Sequence, residues 1–196
     1  TDTMMVATYD TVNQTVGLVS LPRDTFINGV RESNGKNFYK PNAAYAYNGI
    51  DGLKTEVSKI LGFPIDYYIK VNISGFVRLV DAVGGVDIVI SEAEMEQINA
   101  NNARYAGSQD IAELLGYMPA PVREYSEDGA TPVHLDGLQA LGYARIRKLD
   151  SDFMRTSRQR RVVQAALTAL RGRLYDPRVY VRLADVLFNT METNMG

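Results

Sequence analysis

The sequence predicts a layered α/β fold, and two observations carry that prediction. From about residue 4 to residue 90, short β-rich runs alternate with amphipathic helical segments, which is typical of helices packed on a sheet. The composition is that of an ordinary globular protein, with 45% hydrophobic and 22% charged residues in a chain of 196. That length is enough for one domain with a sizeable core and too short for two ordinary ones.

The first predicted element is a β-hairpin. Residues 4–9 and 15–21 are β-rich, and residues 10–14 between them have the composition of a turn. A natural protein rarely begins at the entry to a strand, so we expect this piece to be excised from a longer chain. No run in the sequence approaches the ~20 apolar residues that a membrane-spanning helix needs, so we expect the piece itself to be soluble.

Hydrophobic periodicity and capping residues predict the elements that follow. Helices are expected over residues 42–62, 74–82, 135–143, 151–174 and 179–190, and strands over residues 66–73 and 86–90. Asn48-Gly49 is expected to break the first of these helices, and Gly62 to end it. Ser74 is the expected N-cap of the second helix, and Asp136 lies near the start of the third.

Residues 91–133 are the least regular part of the sequence. They contain an acidic helix near residues 93–102 and then a stretch rich in Gly, Pro and Tyr. We interpret them as a variable surface insertion within a single domain that covers residues 1–196. His134 follows directly, and with no evident Asp or Ser partner it receives no role.

Charge is distributed unevenly along the chain. The formal net charge is only −2, but residues 84–144 hold ten acidic and two basic residues, whereas residues 145–161 hold seven basic and two acidic ones. The basic stretch has six Arg and one Lys. Such clustering indicates more about binding partners than the net charge does. Aromatic residues beside the stretch are scarce, which argues against a nucleic-acid partner.

The arginine cluster predicts a site for phosphate or pyrophosphate. Arg145 and Arg147 would point to the same side of an extended segment, because side chains alternate with a period of two. On the helix that follows, Arg155, Arg158 and Gln159 share one face at i, i+3 and i+4 spacing. Forked guanidinium groups near a helix N-terminus suit a phosphate. The alternative is a solvated basic face with salt bridges to nearby aspartates, Asp150 and Asp152.

Two further charged segments contain candidate site residues, and neither segment alone distinguishes a functional role from a structural one. Arg23 and Asp24 follow a strand, where α/β folds usually place their sites, although a simple turn explains them equally well. Asp2 is a possible ligand of Mg²⁺, which needs only one or two carboxylates beside phosphate oxygens and water. A solvated terminal carboxylate is the alternative.

The Cys and His content excludes several classes of active site. The chain has no Cys and one His, which excludes thiolate metal sites and Cys nucleophiles and leaves little material for a Ser-His-Asp triad. An apolar set on the second predicted helix is either core or the wall of a groove for a long prenyl chain: Phe76, Val77, Leu79, Val80 and Val83. Periodicity does not separate these two interpretations.

Taken together, these segments resemble the LytR–CpsA–Psr family. The matching motifs occur in order along nearly the whole chain: Asp2-Thr3-Met4-Met5, Ser20-Leu21-Pro22-Arg23-Asp24-Thr25, Lys40-Pro41-Asn42-Ala43-Ala44-Tyr45-Ala46, residues 76–87, residues 135–141, Tyr143-Ala144-Arg145-Ile146-Arg147, and Asp152 with Arg155, Arg158 and Gln159.

The resemblance implies a three-layer α/β/α sandwich with a mixed central sheet and an apolar prenyl-binding pocket. It also implies a phosphotransferase, anchored on the extracytoplasmic face of the cell membrane, that moves a glycopolymer from a polyprenyl-pyrophosphate carrier to peptidoglycan with Mg²⁺. The glycopolymer would be a teichoic acid, a capsular polysaccharide or a similar chain. The alternatives are a non-catalytic polyprenyl-phosphate-binding protein and a pyrophosphate hydrolase acting on the same lipid.

The family's functional residues can be assigned by position. Asp2 resembles the magnesium ligand, and the family's usual first strand and membrane anchor are expected upstream of it. Asp152 is similar to an active-site carboxylate that orients an arginine or accepts the acceptor's proton, and we expect Arg145 and Arg155 to be catalytic with it. The residues expected to bind the pyrophosphate are Arg23, Arg145, Arg147, Arg155, Arg158 and Gln159.

Overall fold

The fold is an α/β fold, as predicted. The computed structural model describes residues 3–22, 24–27, 30–31, 37–106, 120–147, 149, 151–173 and 175–195. In these residues the strands are β1 Met4–Asp10, β2 Thr15–Leu21, β3 Val30–Arg31, β4 Asn37–Phe38, β5 Ile69–Val71, β6 Val86–Ile88, β7 Val133–Leu135 and β8 Met191–Thr193. The helices are α1 Pro41–Leu61, α2 Ile73–Ala82, α3 Glu92–Ala106, α4 Gly137–Ala144, α5 Asp152–Gly172 and α6 Pro177–Thr190.

The strands of the described residues pair as β1–β2, β3–β4, β5–β8 and β6–β7, and each pair is antiparallel. The finer expectation of one mixed sheet between two helical layers stays a prediction. Contacts within the chain form two compact units, residues 1–68 with 194–196 and residues 69–193. Each unit is described by itself below.

The first unit begins with the predicted hairpin. β1 and β2 pair from Met4 opposite Leu21 to Asp10 opposite Thr15. The Asp10 carboxylate closes the turn by accepting hydrogen bonds from the backbone N–H groups of Val12 and Asn13, at 2.9 and 3.1 Å. A side-chain hydrogen bond from Asn13, with these backbone bonds, lowers the pKa of Asp10. The turn is therefore stabilised by a charge-assisted network typical of an Asx-turn.

Helix α1 shows the predicted break and the predicted end. Pro41 occupies its first turn, where no backbone donor is needed. Gly49 has φ 65° and ψ −157°, outside the helical region, so the segment consists of two helices joined at a kink. Gly62 ends α1 in the left-handed conformation at φ 78°, and its N–H donates to the Ser58 carbonyl. Buried Ala44 packs against Ile27.

In the second unit, the start of α2 differs from the prediction. Asn72, not Ser74, is the N-cap, and its side chain accepts a hydrogen bond from the Gly75 N–H at 2.7 Å. The N-cap lies two residues earlier than predicted, because Asn and Ser are both good caps and helix boundaries are uncertain by one or two residues. The strand before the cap covers only Ile69–Val71 rather than residues 66–73.

Three valines of the predicted apolar set on and after α2 are core residues. Val77, Val80 and Val83 are all buried, and Phe76 packs partly buried against two core clusters. Val80 belongs to the main cluster, which also includes buried side chains of β6, β7, α4 and α5. These valines therefore stabilise the fold, and the prenyl-binding pocket stays a prediction.

Gly84 and Gly85 are required by close contacts as well as by the turn. Both have positive φ, 81° and 84°. The Arg173 guanidinium lies against Gly84 and donates to the Val83 carbonyl, so a Cβ at Gly84 would overlap it. A Cβ at Gly85 would lie 2.4 Å from the His134 ring. This pair therefore does more than end a helix.

His134 has an aspartate partner after all. Its Nδ1 lies 2.8 Å from Asp87 Oδ1, and both side chains are largely exposed. The two residues face each other because β6 and β7 pair with Asp87 opposite His134. A cross-strand pair of this kind, 47 residues apart in sequence, has no local signature.

The insertion predicted over residues 91–133 is partly integrated into the core. Helix α3 extends the expected acidic helix to Ala106, and Ile98 is fully buried in the main cluster. Asn99 makes two hydrogen bonds to the Val122 backbone, at 2.8 and 2.9 Å, which fix the returning chain against α3. Residues 107–119 lie outside the described ranges. Within those ranges, no helix has both the length and the apolar composition to cross a bilayer.

Candidate anion-binding site

Helix α4 delivers the first arginines to the candidate site. A capping box fixes its start: the Asp136 carboxylate accepts from the Gln139 N–H at 2.8 Å, and the Gln139 side chain accepts from the Asp136 N–H at 3.0 Å. All eight residues of α4 are buried. Burial raises the pKa of Asp136. Since α4 is enclosed in the core, the residues after it begin from a fixed position.

Arg145 and Arg147 flank a buried residue. Ile146 is 0% exposed and belongs to the main core cluster, whereas Arg145 is half-buried and Arg147 is exposed. Arg145 caps α4 at φ −102° and ψ 6°, so the segment is not the fully extended one that was predicted. This bridge conformation is one that active-site residues often adopt. Both arginines nevertheless remain accessible on either side of an anchored isoleucine.

Helix α5 presents the second set of candidates, on one face as predicted. Arg155 and Arg158 are 6% and 3% exposed, and Gln159 is half-buried. The Gln159 side-chain amide donates to the Ala144 carbonyl at 3.5 Å. This hydrogen bond attaches the Arg155–Gln159 face of α5 to the end of α4, directly before Arg145.

Arg158 is occupied by an ion pair inside the protein. Its Nε donates to Glu94 Oε1 at 2.8 Å, and Glu94 is itself only 13% exposed. A charge this deeply buried is tolerated because it is paired and hydrogen-bonded. The alternative partners Asp150 and the Asp152 side chain lie outside the described residues.

Tyr143 lies between the arginines of α5 and the core. The Arg158 guanidinium is 6.0 Å from the Tyr143 ring centroid, and Arg161 Nη1 donates to the Tyr143 hydroxyl at 3.3 Å. Burial raises the pKa of Tyr143, against the opposing effect of Arg161. The phenol is therefore neutral at physiological pH, and its ring and hydroxyl hold two cations in place.

Tyr105 contacts the other arginine group. The Arg145 guanidinium carbon lies 5.6 Å from the Tyr105 ring centroid, within the range of a cation–π interaction. The ring is partly buried against the cluster of Val77, Leu138 and Leu141. Tyr105 thus stands between the core and Arg145.

Sequence reasoning did not assign roles to Glu94 and Tyr105. Glu94 has a local signature, since Ser91 and Glu94 form a capping box in which the Ser91 N–H donates to Glu94 Oε2 at 3.1 Å. Its pairing with Arg158, 64 residues away, has no such local signature.

Three other predicted site groups, Asp2, Arg23 and the side chain of Asp152, lie outside the described residues. Asp24 pairs with Lys40 at 2.5 Å.

The described residues contain no group of three or more His, Asp or Glu side chains that could hold a metal ion. A site for Mg²⁺ beside a pyrophosphate needs fewer protein ligands than that. Its predicted ligand, Asp2, is not among the described residues, so the metal stays a prediction.

Comparison of the sequence with known proteins identifies its relatives. The model of the LytR_cpsA_psr family matches residues 1–196. One curated relative, the polyisoprenyl-teichoic acid–peptidoglycan teichoic acid transferase TagU of Bacillus mycoides (strain KBAB4), is 39% identical over 168 residues, which are 85% of this chain and 45% of the relative. The chain thus spans less than half the length of that relative.

Solved structures give the same result. The crystal structure of B. subtilis TagU aligns with a TM-score of 0.64 and 26% identity, covering 100% of this chain and 72% of that one. A structure described as TagT bound to LI-WTA aligns with a TM-score of 0.72 at 24% identity, covering 100% and 63%, and shows likeness of fold. With a family model that matches its whole length, the chain belongs to the LytR_cpsA_psr family.

Proposed function

We propose that this chain carries the pyrophosphate-binding site of a phosphotransferase that moves a glycopolymer from a polyprenyl-pyrophosphate carrier to peptidoglycan. The observation that carries the proposal is the junction of α4 and α5. There the Gln159–Ala144 hydrogen bond brings the Arg155 face of α5 beside the segment that bears Arg145 and Arg147. The curated relatives are named as transferases of polyisoprenyl-linked teichoic acid to peptidoglycan, which supports the same donor and acceptor classes here.

Each arginine has a distinct role in the proposal. Arg145 and Arg147 are accessible and bind the non-bridging oxygens of the pyrophosphate. Arg155 is largely buried, where a guanidinium acts in a low-dielectric setting and stabilises nearby negative charge more strongly than in water. Gln159 donates from the same face, and the binding role of Arg23 stays a prediction from the resemblance.

Arg158 receives a supporting role. Because its Nε is bound to Glu94 and its side chain is 3% exposed, it fixes the α5 face instead of meeting the substrate from solvent. This modifies the expectation that Arg158 binds pyrophosphate directly.

The proposed chemistry is phosphoryl transfer to a sugar hydroxyl. The acceptor oxygen attacks the phosphorus attached to the glycopolymer sugar, the bond from that phosphorus to the bridging oxygen breaks, and polyprenyl phosphate leaves with the bond's electron pair. Asp152 takes the acceptor's proton or orients an arginine. The arginines stabilise the charge on the non-bridging and leaving oxygens. Mg²⁺ held at Asp2 would supply additional positive charge at the pyrophosphate.

The test is a transfer assay with the full-length protein, a labelled polyisoprenyl-linked teichoic acid and peptidoglycan fragments. We expect the label to move to the peptidoglycan and polyprenyl phosphate to be released. Release of the labelled polymer into water instead would identify a hydrolase. Binding of the lipid without release of either product would identify a carrier, and both results would overturn the transferase proposal. An enzyme of this kind belongs on the extracytoplasmic face of the cell membrane, where peptidoglycan is accessible.

A further inference from the structure

Helix α3 contacts the candidate site through polar and aromatic side chains, although its sequence predicts only a solvated acidic helix. Glu94 in its first turn reaches Arg158, and Tyr105 in its last turn reaches Arg145. Between them, the Asn101 side chain donates to the Gly142 carbonyl of α4 at 2.9 Å. The two ends of one helix therefore touch one arginine from each half of the cluster.

Glu94 is a rigid anchor, because both of its oxygens are engaged. Oε1 accepts from Arg158 Nε at 2.8 Å, and Oε2 accepts from the Ser91 N–H at 3.1 Å. The carboxylate is thus tied to the start of its own helix and cannot follow a moving arginine. Since Arg158 lies one residue before Gln159 and three after Arg155, this anchor sets the rotation of α5 that aims both neighbours.

Tyr105 is an anchor of a different kind. Tyr105 packs partly buried against the cluster of Val77, Leu138 and Leu141, while the Arg145 guanidinium lies 5.6 Å from its ring centroid. A guanidinium over an aromatic face keeps its edge available for a phosphate, whereas a carboxylate partner would occupy that edge. The contact therefore orients Arg145 without neutralising it.

We propose that Tyr105 and Glu94 are positioning residues of the anion site, with Tyr105 holding Arg145 in the orientation that meets a phosphate and Glu94 fixing the α5 face through Arg158. This role rests on the proposed function, since it requires that the arginine cluster bind a pyrophosphate group. It assigns α3, which carries none of the matching family motifs, to the machinery of the site.

The test measures binding of inorganic pyrophosphate to the full-length protein by calorimetry. Tyr105→Leu keeps apolar packing and removes the aromatic face, so we expect the Kd to rise about two- to five-fold, the range of one cation–π contact. Tyr105→Phe keeps the face and should bind like the wild type. The NMR signals of the Arg145 side chain should show a ring-current shift in the wild type and in Tyr105→Phe that is absent in Tyr105→Leu.

Glu94→Gln is the matching test at the other end of α3. It replaces the carboxylate acceptor by an uncharged amide oxygen and so removes the ion pair with Arg158, and we expect the pyrophosphate Kd to rise roughly three- to ten-fold. The control is Glu96→Gln, which removes the same charge from an exposed position of the same helix and should leave the Kd unchanged.

The outcomes separate the two levels of the proposal. If the wild-type chain does not bind pyrophosphate, the anion site of the proposed function fails, and the positioning role fails with it. If the wild type binds, and Tyr105→Leu and Glu94→Gln bind equally well, only the positioning role is overturned. Equal losses in Glu94→Gln and Glu96→Gln would also overturn it, because they would show that the loss does not depend on the contact between Glu94 and Arg158.

Discussion

Helices α2 and α3 both pack on α4, and they do so with different chemistry. The α2 contact is apolar: Val77 packs with Leu138 and Leu141, and Gly137 lies so close that a Cβ there would be 2.2 Å from the Val77 carbonyl oxygen. The α3 contact combines buried Ile98 with polar side chains, among them Asn101, which is bonded to the Gly142 carbonyl. The first contact stabilises the fold with little directional demand, whereas the second specifies orientation and leads to the arginines.

The largest expected effect comes from removing an arginine that α3 contacts, because this should reduce activity without reducing stability. Arg145→Ala should reduce the rate of glycopolymer transfer about 10²- to 10³-fold, the usual cost of losing one charge stabiliser, while leaving the melting temperature nearly unchanged. Transfer rates and thermal melts of the full-length protein check this. Arg171→Ala, at an exposed position in the last turn of α5, is the control and should retain wild-type transfer. A wild-type rate in Arg145→Ala would remove this residue from the site.

Breaking the α2 side should affect stability and not binding. Val80→Ala removes buried side-chain volume of α2 from the main cluster, outside the group of residues that Tyr105 packs against, and we expect the free energy of unfolding to fall by about 2 kcal/mol. Denaturant titration measures this change. Pyrophosphate affinity of the folded variant should match the wild type. A lower pyrophosphate affinity of this variant, measured without denaturant while it is fully folded, would contradict the separate roles of the α2 and α3 contacts.

Two adjacent asparagines on α3 test its polar packing. Asn101→Leu removes the hydrogen bond to the Gly142 carbonyl, so we expect the free energy of unfolding to fall by about 1 kcal/mol. Equal stability of this variant and the wild type in urea titrations would show that the bond contributes nothing to the interface.

Asn102→Leu should act in the opposite direction. Asn102 is 3% exposed, and within the described part of the chain neither atom of its amide has a hydrogen-bond partner. A leucine of similar shape avoids that desolvation cost, so we expect stability to rise by about 1 kcal/mol. Destabilisation by this substitution, measured in the same urea series, would indicate that the amide binds a buried water.

The smallest effect is expected at the polar edge of the α2 contact. The Gly137 N–H donates to Asp81 at 2.7 Å, and Asp136 lies beside it with a pKa raised mainly by burial. For a carboxyl whose pKa is higher in the folded than in the unfolded state, stability falls as the pH rises through the interval between the two values. Melting curves between pH 4 and pH 7 should show this slope in the wild type. Asp136→Asn keeps a capping side chain and should lack that contribution.

The comparison of α2 and α3 also explains what the sequence could predict. The valines of α2 repeat at helical spacing, and that periodicity correctly predicted a buried face, although it left open whether the face was core or groove. Periodicity is a poor guide for α3, because Ile98 is the one fully buried apolar residue among its described side chains and its other contacts with α4 and α5 involve amide, carboxylate and phenol groups. The helix itself was predicted near residues 93–102, but its integration into the core was not.

The arginine cluster was predictable in part. The shared face of Arg155, Arg158 and Gln159 follows from spacing on any helix, and the structure shows it. The burial of Arg158 against Glu94 does not follow, since pairs distant in sequence form only when the chain folds. Arg145 was expected in an extended segment and instead caps α4, because that helix continues one residue further than its sequence pattern indicated.

Ile146 has a consequence for the energetics of ligand binding. Flexible loops that capture phosphate must lose backbone freedom when they close, at roughly 1–2 kcal/mol for each residue ordered. Here the backbone is already ordered when the protein folds, because the Ile146 side chain between the two arginines is buried in the core before any ligand binds. Binding then has to restrict only the arginine rotamers. The two guanidinium groups should accordingly behave as a preformed clamp, with affinity limited by desolvation of the phosphate and little dependent on reorganisation of the chain.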